Sequence, residues 1–273
     1  MGLVAAWGAV MPSTPLHAGA WTLEAGTGQI VFSATPSSAN EIFDGQRNLQ
    51  STPRYRKFEV QALLEYGIRD WFTLIIGPGL QHIDIAASVN ANRTGLGFTE
   101  FGGRGRLLHG DNWVLSAQAT VRVPGTFDAD NPAAIGNNGF EHDFRLLYGY
   151  GFALGSWPAF VDLQLAQRFR SGDRPSEVRA DATFGLRPAP QWLLLAQLFN
   201  VISQGGSPPL FPSYDYSKLQ FSVVHNLTPQ WAVQTGGFAT FHGRNALQEN
   251  GLLVALWYRF GLAPRAADVP GAQ

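Results

Sequence analysis

Five tryptophans, Trp71, Trp113, Trp157, Trp192 and Trp231, each follow a short polar turn and each open a run of alternating residues. The turns are Ile68-Arg69-Asp70, His109-Gly110-Asp111-Asn112, Leu154-Gly155-Ser156, Pro188-Ala189-Pro190-Gln191 and Leu227-Thr228-Pro229-Gln230. Their spacing of roughly forty residues matches two strands of about 10–14 residues, a tight turn and a longer loop. A helical pattern would repeat every 3.6 residues, whereas here side chains alternate with period two, so the repeat is a β-hairpin. Hairpins joined this way place every turn tryptophan at the same end of one antiparallel sheet.

The period-two runs predict twelve strands at 28–42, 55–67, 71–83, 97–108, 113–124, 140–153, 157–170, 176–187, 192–202, 214–225, 231–242 and 247–260. Splitting or merging one run would make the count ten or fourteen. The longer connections, 44–54, 84–96, 125–139, 171–175, 203–213 and 243–246, are rich in Gly, Asn, Asp, Ser and Pro and are predicted loops. Short turns at one end and longer loops at the other is the asymmetry of a transmembrane barrel, with the turns periplasmic.

The faces separate cleanly. Phe58, Val60, Ala62, Leu64 and Tyr66 oppose Glu59, Gln61 and Glu65. Leu115, Ala117, Ala119, Val121 and Val123 oppose Ser116, Gln118, Thr120 and Arg122. Val178, Ala180, Ala182, Phe184 and Leu186 oppose Glu177, Arg179, Asp181, Thr183 and Arg187. A soluble sandwich also alternates. Its apolar face, however, builds a core of large side chains, and alanines pack such a core poorly while suiting lipid. The last strand has Leu252, Val254, Leu256, Tyr258 and Phe260 on one face and Leu253, Ala255, Trp257 and Arg259 on the other. Left as a soluble edge it would aggregate. Paired with the first strand it closes a barrel, which satisfies every backbone group in a bilayer. Its Tyr-x-Phe ending resembles the C-terminal assembly signal of bacterial outer-membrane barrels.

Composition agrees. Only 14 % of residues are charged, against about 25 % in soluble domains. Mean hydropathy is −0.05, and no apolar run of about 18 residues follows the N-terminus, so helical spans are not expected. The net charge of −1 argues against a nucleic-acid partner. The absence of cysteine removes thiol chemistry, disulfides and cysteine-ligated metals. Residues 1–20 read as a signal peptide, a short apolar segment ending in Ala18-Gly19-Ala20, although no basic residue precedes it. The barrel is expected to span 21–260, and 261–273 is a Pro- and Ala-rich tail.

Alternation assigns the charged side chains to the lumen: Arg104, Arg106, Arg122, Arg145, Arg168, Arg170, Arg179, Arg187, Lys218 and Arg259, with Glu59, Glu65, Glu100, Glu141, Asp143, Asp162, Glu177 and Asp181. They either ring a selective pore or neutralise one another inside a filled barrel. Trp71, Trp113, Trp157, Trp192, Trp231, Tyr258 and Phe260 form the expected aromatic girdle at the membrane interface.

Catalytic readings are weaker. Glu141-His142-Asp143 is the densest titratable cluster, but His142 takes outward parity and no serine lies in a nucleophile motif. His225 is also outward, and His82 and His242 fall near the loop end. The histidines lack metal-ligand spacing. Asp128 and Asp130 lie in the 125–139 loop without the closing Glu of a calcium loop. Phe101-Gly102-Gly103-Arg104-Gly105 sits within a strand and not at a strand-to-helix turn, so it is no phosphate loop. No cofactor, metal or catalytic residue is expected.

Two stretches, Ala20-Trp21-Thr22-Leu23-Glu24-Ala25-Gly26-Thr27-Gly28-Gln29 and Glu65-Tyr66-Gly67-Ile68-Arg69-Asp70-Trp71-Phe72-Thr73-Leu74, together with the turn-tryptophan hairpins, resemble the phenol-degradation-pathway transporter family of bacterial outer-membrane barrels. The resemblance spans most of the mature chain and implies a barrel that passes aromatic or other hydrophobic small molecules. It brings no catalytic residues. Members usually end at the terminal aromatic, whereas here the tail follows Phe260. The expectation is therefore an outer-membrane channel or uptake porin of a Gram-negative bacterium, with lipid, the barrel-assembly machinery and a small solute as partners. A structural barrel with a plugged lumen and a surface enzyme acting on lipid or ester are the alternatives.

Overall fold

The structure is a computed structural model and describes residues 19–86, 91–126, 133, 139–172, 174–206 and 212–261. The expected calcium-poor loop carrying Asp128 and Asp130, the first eighteen residues of the expected leader and nearly all of the C-terminal tail lie outside the described residues. Fifteen strands form one antiparallel sheet: β1 (Gly28–Phe43), β2 (Leu49–Arg69), β3 (Phe72–Gly77), β4 (Gly79–Ala86), β5 (Ala91–Leu96), β6 (Thr99–His109), β7 (Trp113–Val123), β8 (Glu141–Leu154), β9 (Trp157–Arg170), β10 (Glu177–Ala189), β11 (Trp192–Ser203), β12 (Asp215–Asn226), β13 (Trp231–Arg244), β14 (Ala246–Leu247) and β15 (Asn250–Phe260).

Three pairs are halves of single staves. Strands β3 and β4 both pair with β2 and break at Pro78, which has no N–H for the ladder. The Pro78 carbonyl still accepts a bond from the Ala62 N–H at 3.0 Å. Strands β5 and β6 pair with β4 and β3 and break at Gly97-Phe98, while β14 and β15 share β1 and break at Gln248-Glu249. The result is a closed antiparallel barrel of twelve staves. The seam is β1 against β15, with Gly28 opposite Phe260, Ile30 opposite Tyr258 and Phe32 opposite Leu256, while β2 holds the other edge of β1.

Burial is inverted relative to a soluble domain. Outward side chains such as Leu165 (58 % exposed), Phe221 (59 %) and Leu252 (62 %) are bare, while Glu141, Asp143 and Asp162 are among the most buried large side chains. Apolar exposure on this scale is tolerated only against hydrocarbon.

The strands overrun the predicted loops. Strand β2 begins at Leu49 and stays paired with β1 to Phe43, and β4 and β5 continue as a hairpin through Ile85 opposite Ala91. Beyond the bilayer both faces meet water, so hydrogen-bonded pairing continues after hydrophobic alternation has ended, and alternation alone stops too soon.

Candidate functional site

The lumen has a charged wall and a neutral wall. The charged wall runs from β6 to β10. Register sets Glu100, Arg122, Glu141 and Arg170 side by side on four consecutive staves, with alternating sign. One row along, Asp143, Arg168 and Glu177 do the same. Directly opposed positions of unlike charge attract across strands. Arg122 binds Glu141, which also takes Arg170 at 3.0 Å and Arg168 at 3.6 Å. Arg168 reaches Asp143 at 3.0 Å, Arg145 reaches Asp181 at 2.7 Å, and Arg170 reaches Glu177 at 3.0 Å. Arg179 lies 3.5 Å from Glu177, and Arg122 lies 3.9 Å from Glu100.

The other expected lumen charges are dispersed. Arg104 pairs with Glu65 at 2.6 Å across the intervening β3 stave, and Gln29 donates to the same carboxylate. Glu59 meets Lys57 at 3.0 Å, and Lys218 meets Glu249. Asp162 is bound by Gln164 and by the N-terminal segment. Arg187 donates to the Pro190 carbonyl, and Arg259 to Asn226, both beside the periplasmic turns. Arg106 is anchored through its backbone N–H to Trp71.

The opposite wall, from β11 through β15, is built largely of amides and hydroxyls beside Lys218, Glu249 and Arg259. Gln220 donates to Gln197 at 2.8 Å, Gln234 to Ser222 at 2.8 Å, and the Trp257 indole N–H to Gln234 at 3.1 Å. Sequence reading followed formal charge and so passed over this chain of neutral donors, although its members share the lumen parity of Lys218. It also missed Lys57, two residues from Glu59 on the same face. Glu249 was passed over as well, although the predicted strand 247–260 gives it the lumen parity of Arg259; in the structure it sits in the break between β14 and β15.

Residues 19–23 lie inside the barrel at its periplasmic end, and 24–27 turn at its rim. Ala20 is fully buried, with its N–H on Asp162 at 2.6 Å and its carbonyl accepting from Ser116 at 2.6 Å. Arg104 donates to the Gly19 carbonyl. The Leu23 N–H binds Thr73 at 2.8 Å, and the Ala25 N–H binds Asp70 at 2.8 Å. Trp21 packs edge-on against Phe160 at 6.1 Å. It also lies over Gly149, where an added Cβ would come within 2.4 Å of the indole, so only glycine leaves room for it. Ala20, read from the sequence as the last residue of the leader, is thus the most enclosed residue of this segment.

At the loop end a cavity of about 480 Å³ opens between Tyr55, Lys57, Arg93, Arg170, Tyr214 and Glu249. The Tyr214 hydroxyl donates to Glu177 at 2.6 Å, and burial, reinforced by that carboxylate, pushes its pKa up and keeps it neutral. Burial and the neighbouring Arg170 lower the pKa of the Arg174 guanidinium.

On the outside, the turn tryptophans collect at the periplasmic rim. Trp231 contacts Tyr258 at 4.6 Å between ring centres, Trp192 contacts His225 at 4.1 Å, and Phe260 stacks with Tyr66 at 6.2 Å. Trp71 and Trp157 are exposed, and Trp113 stacks with Tyr148. The cluster Glu141-His142-Asp143 does not converge: the two carboxylates are buried inside while His142 is exposed outside. His82 bonds Thr94 at 2.7 Å, and His242 lies 2.9 Å from Arg47.

The family model described as "Putative MetA-pathway of phenol degradation" matches residues 16–260, the whole barrel and the segment within it. The chain belongs to this family. Its fold is similar to that of an outer-membrane channel from Pseudomonas putida F1, with a TM-score of 0.74 at 16 % identity over 90 % of this chain and 100 % of that one. The translocator domain of the autotransporter NalP from Neisseria meningitidis follows at a TM-score of 0.52 and 10 % identity, over 85 % of this chain and 88 % of that one. The NanC porin matches at a TM-score of 0.50 and 8 % identity, over 84 % and 98 %. No curated protein matches the chain. This family member is an all-β outer-membrane barrel.

Proposed function

We propose that the protein is an uptake channel of the bacterial outer membrane for small molecules, aromatic or hydrophobic ones among them, and not an enzyme. The observation that carries the reading is the pairing of a lipid-compatible outside with a polar lumen that widens into a cavity at the loop end. The family's description names phenol degradation, and the barrel from Pseudomonas putida F1 is titled an outer membrane channel; both support the same reading. In it the charged residues from Glu100 to Asp181 line one side of the path, the amide wall lines the other, and the rim aromatics hold the barrel at the interface. Lipid is the partner of the outer face, the barrel-assembly machinery inserts the protein, and a leader ending before Gly19 directs its export, so that Gly19 and Ala20 stay with the barrel that binds them.

One observation favours the alternative of a plugged barrel: residues 19–27 occupy the periplasmic end and bind β3, β6, β7 and β9. Single-channel conductance and swelling of vesicles containing the full chain separate the two. Stepwise conductance with uptake of a neutral aromatic solute is expected. Vesicles that neither conduct nor swell would overturn the channel and leave the plugged barrel standing.

A further inference from the structure

We infer that the cavity at the loop end is a binding site for an amphipathic aromatic carboxylate, with the anionic head at Arg93, Arg170 and Arg174 and the ring against Tyr55, Ile83 and Leu247. The inference rests on the uptake reading for its purpose, but the binding itself does not require transport.

Charge comes first. Among the described residues the cavity wall includes five basic side chains, Lys57, Arg93, Arg170, Arg174 and Lys218, and two carboxylates, Glu177 and Glu249. Both carboxylates are buried and already engaged. Glu177 receives the Tyr214 hydroxyl at 2.6 Å and Arg170 at 3.0 Å. Glu249 receives the Ser37 hydroxyl at 2.6 Å together with Lys218. Arg93 makes no ion pair among the described residues, and its buried Nη2 has no hydrogen-bond partner there. Burial and the like charge of Arg170 both disfavour the charged form of Arg174. An anion placed among these guanidiniums would satisfy a buried donor and relieve the crowding of like charges.

Shape supplies the second half. An apolar cavity of about 320 Å³ adjoins the basic one and shares Tyr55, Ile83 and Leu247 with it, adding Pro53 and Ile85. Each space falls within or near the usual size of small-ligand pockets, roughly 300–1,000 Å³. A simple inorganic anion would leave the apolar part empty. A neutral aromatic would leave Arg93 unsatisfied, and an amine would be repelled. Tyr55 stands on the wall common to both cavities, and Tyr216 flanks the basic one, with the Lys218 ammonium 5.4 Å from its ring centre. Aromatic surfaces there favour a flat ring over a flexible chain.

The test is calorimetric titration of the full-length protein in detergent with 4-isopropylbenzoate, the matching benzyl alcohol and benzylamine, octanoate and inorganic phosphate. The aromatic acid is expected to bind about tenfold or more tightly than each of the others. Arg93→Gln should remove about tenfold of that affinity, and Tyr55→Ala should weaken the aromatic acid more than octanoate. A heat-induced shift in gel mobility verifies that each variant is folded, and Arg174→Gln serves if Arg93→Gln is not. Equal affinity for acid and alcohol, or unchanged affinity in a folded arginine variant, overturns the site. Octanoate binding as tightly as the aromatic acid, or losing as much in Tyr55→Ala, overturns the aromatic assignment. Selective binding without solute flux would sink the uptake reading alone, and flux without preference for the acid would sink this inference alone.

Discussion

Glu141 is 2 % exposed and lies within reach of Arg122, Arg168 and Arg170. A lone carboxylate so buried would be costly, and three lone guanidiniums more so; together they are tolerated because each satisfies the others. Removing one partner is therefore worse than never having built the group. Glu141→Ala is expected to cost about 3–5 kcal/mol of barrel stability, read from denaturant unfolding followed by gel mobility. Glu141→Gln should cost less, since the amide still accepts. A loss of under about 1 kcal/mol in the alanine variant would show the network to be as weak as exposed pairs. At the β1–β2 tip, Asp44 accepts backbone N–H bonds from Asn48 and Gln46, which hold its carboxyl below the usual value near 3.8. A depressed folded pKa contributes stability above the unfolded pKa, and that contribution is lost as pH falls through the folded one. The protection of the Gln46 and Asn48 amides from hydrogen exchange, corrected for the intrinsic pH dependence of exchange, should accordingly be constant from neutrality down to about pH 4 and fall only in stronger acid. Asp44→Asn should abolish the acid step.

At the scale of elements, the informative piece is the segment 19–27, which is not a strand. Its backbone groups bond to Asp162, Ser116 and Thr73 on three different staves and to Asp70 in the turn between β2 and β3. No local pattern could announce this, because irregular backbone is satisfied only by whatever polar groups the closed sheet brings around it. Cutting two of those anchors with Asp162→Ala and Ser116→Ala should leave the barrel intact and raise mean single-channel conductance severalfold at equal protein. Unchanged conductance in the folded double variant would show that the segment does not limit the path. The strands themselves were largely legible: the runs beginning at Trp113, Trp157, Trp192 and Trp231 start where the structure starts β7, β9, β11 and β13. The misjudged ends, 44–54 and 84–96, lie where both faces meet water and burial no longer writes a pattern into the side chains.

For the whole molecule, closure decides the behaviour. With β1 bonded on both edges, the ring of staves is closed, and unfolding must break a continuous ring. The folded protein is expected to migrate differently from the boiled protein in detergent gels and to require detergent for solubility. Mobility unaffected by boiling, in a chain soluble without detergent, would contradict the barrel.

Alternation of side chains, the five turn tryptophans and the shortage of charge determined the sheet, its inside and outside, and the end at which the hairpins turn. Those are local properties: period two and amphipathicity are carried by neighbours along the chain. Which charges meet was decided only by register, since Glu141 finds Arg122 on one side and Arg170 on the other through pairing across three staves. The cavity at the loop end and the seat of residues 19–27 were likewise decided by closure. A ring of twelve staves brings Arg93 near Tyr214, and Gly19 near Arg104, across distances in sequence that no periodicity spans.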